Sequence, residues 1–166
     1  FGRIGQAVAR RARGFGMRVL YSSPRRASPE LERELGASFV SLDELIGSSE
    51  ILTLHCPLTP ATRGLLSRER MLSMRKGAVV VNTARGACVD EAALVELLRS
   101  GHLAAAGLDV YDREPHVSDA LKSLPNVVLA PHLGSADRPT RERMARMCID
   151  SVLAVLEGRT PEHVVT

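Results

Sequence analysis

Three residues of types that handle carboxylates and protons lie just past short apolar runs. Arg85 stands in Val81-Asn82-Thr83-Ala84-Arg85-Gly86, Glu114 in Gly107-Leu108-Asp109-Val110-Tyr111-Asp112-Arg113-Glu114-Pro115, and His132 in Ala130-Pro131-His132-Leu133-Gly134-Ser135. Each segment follows a stretch that reads as a buried strand. In an open α/β sheet the ligand crevice lies at the carboxyl ends of the strands. An arginine there can grip a carboxylate through two parallel hydrogen bonds. Any one of the three alone would read as a solvated loop residue. At three strand ends on one rim they read as a site.

The first residues, Phe1-Gly2-Arg3-Ile4-Gly5, supply the second and third glycines of a G-x-G-x-x-G turn. Gly2 would let the backbone approach a pyrophosphate, and Gly5 would let the helix pack closely on its strand. The free N–H groups of that helix start would face the phosphates. About 20 residues on, a carboxylate ordinarily takes the ribose 2′-hydroxyl. This chain has Ser22-Ser23-Pro24-Arg25-Arg26 there, with no acid among them. Hydroxyls with one or two arginines suit a 2′-phosphate through charge-assisted hydrogen bonds. The expected cofactor is therefore NADP(H), with NAD(H) as the alternative.

These residues need a scaffold of alternating strands and helices. Compact apolar runs at residues 17–21, 50–54, 78–81, 104–110 and 126–130, with a weaker one at 38–40, read as strands buried on both faces of a parallel sheet. Helices are expected over residues 4–13, 28–35, 42–46, 90–99 and 140–156. Asp90 is the expected N-cap of the fourth and Gly101 its stop. The last helix sets Met144, Met147, Cys148, Ser151, Val152 and Val155 on one face, and its methionines read as core filling. The alternation predicts an α/β fold with a doubly wound parallel sheet, Rossmann-like.

Bulk properties narrow the function classes. The chain has 166 residues, 45% of them hydrophobic and 25% charged, and a net charge of +3. That balance gives no reason to expect nucleic acid or a membrane surface as a partner. Arg10, Arg11 and Arg13 form the tightest basic cluster and read as a solvated helix face. The three cysteines, Cys56, Cys88 and Cys148, fit no disulfide framework or metal pattern. No metal site is expected, and a reducing, cytoplasmic location is. The first residue is Phe, and the first glycine of the turn would precede it. The expectation is an N-terminally truncated domain without its first strand and without the substrate domain.

The blocks resemble the D-isomer-specific 2-hydroxyacid dehydrogenase family, and within it the glyoxylate/hydroxypyruvate reductases. The matching segments are Gly2 to Gly5, Leu54-His55-Cys56-Pro57-Leu58-Thr59 with Thr62, Asn82 to Gly86 with Val89-Asp90-Glu91, Gly107 to Pro115, and Pro131 to Ser135. They run in family order over nearly the whole chain. The resemblance implies reduction of a small 2-oxo acid, glyoxylate or hydroxypyruvate, to the D-2-hydroxy acid. Arg85 would bind the substrate carboxylate and keto oxygen, His132 would be the general acid, and Glu114 would orient His132 and stabilise its protonated form. Histidine titrates near neutral pH, and a carboxylate partner keeps more of it charged.

The resemblance also places Arg3 and Ile4 at the pyrophosphate, Asp109 near the nicotinamide amide, and Pro57, Thr83 and Gly134 along the cofactor cleft. His55 belongs to the cofactor-side loop rather than the acid–base pair. Asp137 departs from the family pattern, where a small or hydroxyl residue is common. Residues 1–139 would form a partial NAD(P)-binding domain, and residues 140–166 a helix and tail that return to the absent substrate domain. By the same resemblance the full-length protein is a homodimer, and this stretch alone is inactive. The alternatives are an NAD-linked relative such as a phosphoglycerate dehydrogenase, or a dinucleotide-sensing corepressor of the same fold.

Overall fold

The structure is a computed structural model that describes residues 1–164. The chain separates into two compact units, Phe1–Pro131 and a second that begins at His132. The first is an α/β unit of parallel strands. Four of them, β3 (Ile51–Leu54), β4 (Ala78–Asn82), β5 (Leu103–Leu108) and β6 (Val127–Leu129), form one sheet in the order β3-β4-β5-β6. Another parallel pair joins β1 (Val19–Tyr21) to β2 (Ala37–Phe39). Every crossover between successive strands of the larger sheet returns through helix or turn. All carboxyl ends therefore open on the same edge, which is what a crevice-forming Rossmann-like unit requires.

Short polar caps start most of the helices. Ser28 Oγ accepts from the Leu31 amide ahead of α2 (Pro29–Leu35), and Ser41 Oγ accepts from the Glu44 amide ahead of α3 (Leu42–Ser48). Asp90 caps α5 (Glu91–Arg99) through the Ala93 amide, as its type and position predict. Helix α5 buries Leu94, Val95, Leu97 and Leu98 in the main core, together with Val80 and Leu103 from the sheet. A smaller core of Ala9, Tyr21, Leu35 and Ala37 holds α1 (Arg3–Gly14) and α2 against β1 and β2. Two helices had no counterpart in the sequence pattern: α4 (Arg68–Ser73) and α6 (Asp119–Lys122). Burial on both faces holds for the centre of the sheet only. In β2, Ser38 and Phe39 are exposed, and in β6, Val128 is.

The second unit contains α7 (Arg138–Leu156), begun by Asp137, whose carboxylate accepts from the Thr140 amide. That cap accounts for an acid at the position where the family pattern favours a small or hydroxyl residue. The expected burial of the methionines does not hold: Met144 is 51% exposed, and in this helix Ala154 is the buried residue. An apolar stripe is buried only when something covers it. Among the described residues of this unit, α7 is the one regular element. No helix among the described residues is long and apolar enough to cross a membrane.

Candidate active site

Helix α1 opens with Gly2 as N-cap, and no side chain caps it. The amides of its first turn therefore lack intrahelical partners, and the first turn carries no acid. A methyl group built on Gly2 would meet nothing within 4 Å, so the space before the helix is open. Arg3 and Ile4 occupy that first turn and are exposed. Gly5 is buried, and a Cβ built there would meet the Phe1 ring at 3.5 Å and His55 at 3.8 Å, ordinary contact distances. This uncapped, acid-free helix start fits a pyrophosphate.

The 2′-phosphate candidates adjoin this turn. The Phe1 nitrogen donates to Ser23 Oγ at 2.7 Å, and the Phe1 ring stacks on Tyr21 with centroids 4.0 Å apart. Ser22 and Ser23 are half-buried, and Arg25 and Arg26 are exposed. The two arginines differ in their surroundings. Arg26 makes a two-pronged pair with Glu32, Nε to Oε1 and Nη2 to Oε2, both at 2.9 Å. Arg25 makes no ion pair with another described residue. Glu32 lies outside the strand-end motif, ten residues past Ser22, and sequence reasoning did not single it out.

On the cofactor side, the loop after β3 is closed by Thr62. Its hydroxyl donates to the Pro57 carbonyl at 2.6 Å and accepts from the Thr59 amide at 2.8 Å. Pro57 is exposed on that loop. His55 is half-buried, with its Nε2 3.0 Å from Thr53 Oγ1, and burial pushes its pKa below the usual imidazole value. Cys56 lies 3.9 Å from the buried Cys88, and burial pushes its thiol up to about 11. A thiol that stays protonated is a packing group, not a nucleophile.

Arg85 is positioned by a residue the sequence motif contains but its chemistry did not flag. Asn82, at the end of β4, is 1% exposed. Its carboxamide donates to the Arg85 carbonyl at 2.9 Å and accepts from the Ala84 amide at 3.0 Å. Both ends of the amide are thus used to fold residues 82–85 into a tight turn. Thr83 and Arg85 remain exposed on that turn. The 3-10 turn Gly86–Cys88 follows. Gly86 packs so closely on the next loop that a Cβ there would lie 1.9 Å from the Tyr111 carbonyl carbon.

Glu114 is anchored on that next loop. Its Oε1 accepts from the Tyr111 amide at 3.0 Å. Tyr111 is buried, and its hydroxyl donates to the Ala130 carbonyl at 2.8 Å, joining the loop to the chain just past β6. Burial also pushes its phenol pKa up. Asp109 is half-buried, and its amide donates to the Asn82 carbonyl at 3.0 Å. His132 follows β6 by three residues and opens the second unit. It is exposed and holds a left-handed backbone, φ 55°, rare for a residue with a Cβ. Such outliers cost about 1–3 kcal/mol and gather at functional sites. Gly134 lies exposed two residues on. No group of His, Cys, Asp or Glu among the described residues is placed to hold a metal.

Parallel strands that open on one edge, with an uncapped glycine-led helix start beside them, define a dinucleotide-binding α/β domain. Comparison with known proteins gives the family. Residues 1–134 match the D-isomer specific 2-hydroxyacid dehydrogenase family, NAD binding domain, and the chain belongs to that family. It is 52% identical over 165 residues to the glyoxylate reductase of Thermococcus kodakarensis, covering 99% of this chain and 49% of that protein. The crystal structure of a glyoxylate reductase from Paecilomyes thermophila superposes with a TM-score of 0.88 at 41% identity, over 96% of this chain and 48% of that one. An NADPH-dependent glyoxylate/hydroxypyruvate reductase from Sinorhizobium meliloti, solved in complex with NADP and malonate, gives 0.86 at 36% identity, over 92% of this chain and 47% of that one. The chain thus spans about half the length of the curated relatives it matches.

Proposed function

We propose that the whole protein is an oxidoreductase that reduces a small 2-oxo acid, glyoxylate or hydroxypyruvate, to the D-2-hydroxy acid, with NADPH preferred over NADH. The observation that carries this reading is the sequence of Arg85, Glu114 and His132 past the carboxyl ends of the adjacent strands β4, β5 and β6. The glyoxylate reductases among its relatives support the substrate class. The nicotinamide cofactor, when bound, supplies a hydride to the carbonyl carbon. Hydride arrival leaves negative charge on the carbonyl oxygen, which needs a proton donor and a cationic neighbour.

Arg85 grips the substrate carboxylate with its guanidinium fork and polarises the keto oxygen. His132, as imidazolium, donates the proton to that oxygen. Glu114, in this reading, is the residue that orients His132. The first-turn amides at Gly2, Arg3 and Ile4 hold the pyrophosphate, with Gly5 allowing close packing. Ser22, Ser23, Arg25 and Arg26 would form the 2′-phosphate site, with Arg26 engaged by Glu32. Pro57, Thr83 and Asp109 would line the cofactor cleft, Asp109 near the nicotinamide amide. The proposal includes a cytoplasmic homodimer, whose stoichiometry sedimentation equilibrium would measure.

The test is a pair of substitutions assayed with glyoxylate and NADPH. His132→Ala should lower kcat by roughly 10²–10⁴ with little change in cofactor affinity. Arg85→Ala should raise KM as well as lower kcat. A larger loss of kcat from His55→Ala than from His132→Ala would refute the assignment of the acid.

A further inference from the structure

The pairing of Arg26 with Glu32 bears on which cofactor is preferred. Both oxygens of the Glu32 carboxylate are engaged, and the Nε and Nη2 edge of Arg26 is consumed. Glu32 is itself held in place: its Oε1 also accepts from the Tyr21 hydroxyl at 2.7 Å, and that hydroxyl accepts from the Ala27 amide at 2.8 Å. The Glu32 side chain is 12% exposed against 63% for Arg26, so the carboxylate belongs to the fold and the guanidinium to the surface. The Phe39 ring lies 5.7 Å from the guanidinium carbon and backs the same group. Arg25, the neighbouring cation, has no such acid.

We propose that Glu32 is a specificity-determining residue that withholds Arg26 from the 2′-phosphate and so keeps the preference for NADPH over NADH narrow, an inference that rests on reading residues 22–26 as the 2′-phosphate site. A phosphate drawn to Arg26 also meets the fixed Glu32 carboxylate, and like charges repel. Strong discrimination against a ligand comes from leaving a site group unpaired. With NADH bound, Arg26 is already paired, so NADH meets no such penalty. The phosphate then depends on Arg25 and the serine hydroxyls.

The experiment measures NADPH and NADH dissociation constants of the whole protein by fluorescence titration, for the wild type, Arg25→Ala, Arg26→Ala, Glu32→Gln and the double variant Glu32→Gln/Arg26→Ala. Arg26→Ala alone should weaken NADPH by roughly threefold or less, as for other exposed charges. Glu32→Gln should tighten NADPH by about tenfold, the worth of one charge-assisted hydrogen bond from the released guanidinium, and leave NADH unchanged. Removing Arg26 from the Glu32→Gln protein should abolish that improvement. Tyr21→Phe, which keeps the carboxylate but frees it to move, should shift the preference the same way by a smaller factor, and it serves if Glu32→Gln folds poorly. Unchanged or weaker NADPH binding in Glu32→Gln overturns the role of Glu32. If Arg25→Ala nevertheless weakens NADPH, the 2′-phosphate site stands and only Glu32 is misassigned. If neither arginine matters in either background, the reading of the loop itself falls.

Discussion

Gly86→Ala tests whether the loops that carry Arg85 and Glu114 are held at a fixed separation by direct backbone contact. A Cβ at Gly86 would sit 1.9 Å from the Tyr111 carbonyl carbon, 2.1 Å from its oxygen and 2.3 Å from the Asp112 nitrogen. All three are main-chain atoms, so no side chain can swing aside. Ordinary contact begins near 3.4 Å, so the two loops must part by about 1.5 Å, a gap that also forfeits dispersion contacts around it. Overpacking of this kind costs roughly 1–3 kcal/mol of stability. A misplacement of about 1 Å at a reacting geometry can cost 10²-fold in rate, roughly 2.7 kcal/mol. Gly86→Ala should therefore lower kcat/KM for glyoxylate by about a hundredfold, beyond what partial unfolding explains. Gly47→Ala is the control. It lies in α3, and its Cβ would meet only the Ser73 carbonyl at 3.8 Å. That change should leave activity intact and add about 0.5–1 kcal/mol of stability. Steady-state kinetics and urea unfolding of both variants decide the matter. A Gly86→Ala enzyme with kcat/KM within about threefold of wild type would refute the reasoning, since positioning changes of this size are worth far more.

Asn82→Ala should cost about 1–3 kcal/mol by leaving the Ala84 amide and the Arg85 carbonyl without their buried partner, and should raise KM for the 2-oxo acid, both readable from chemical unfolding and kinetics. Glu32 is held at about 2 by hydrogen bonds from Arg26 and from Tyr21. A carboxylate depressed in the folded state stabilises above its unfolded value, near 4.3, and loses that contribution as pH falls toward 2. The Tm difference between wild type and Glu32→Gln should accordingly be steady from about pH 5 to 8 and shrink below about pH 4. Leu94→Ala removes a side chain that is 1% exposed at the centre of the main core and should lower stability by about 2–5 kcal/mol without changing KM.

Most of the scaffold was legible because its signals are local. Asp90 marks a helix start by its own side chain, and the runs around Val80 and Ala106 read as sheet interior from their small and β-branched apolar residues. Helices α4 and α6 were missed because they have six and four residues, too few for an apolar period to show. The candidate site divides in the same way. Arg85, Glu114 and His132 stand out by type and by position after a strand. Asn82 and Gly86 do their work on partners that only the folded chain supplies, Gly86 on a loop some 25 residues away. Glu32 was not singled out, because nothing in its spacing shows that Arg26 and Tyr21 turn toward it. The α7 methionines fail for the opposite reason. Periodicity reports that a face is apolar and says nothing of whether a surface meets it.

The loops past β3, β4 and β5 are laced to one another as well as to their strands. Amide-to-carbonyl bonds run from Gly64 to Ala87, from Leu66 to Cys88 and from Asp90 back to Leu66, and Gly86 rests on Tyr111. Loops are ordinarily the first parts of a protein to open to solvent. Here opening one means breaking the ladder that the next one shares. The amides of Gly64, Leu66 and Asp90 should therefore exchange their hydrogens together and slowly, as one cooperative block. The rim around Arg85 would then be as long-lived against local opening as the strands beneath it.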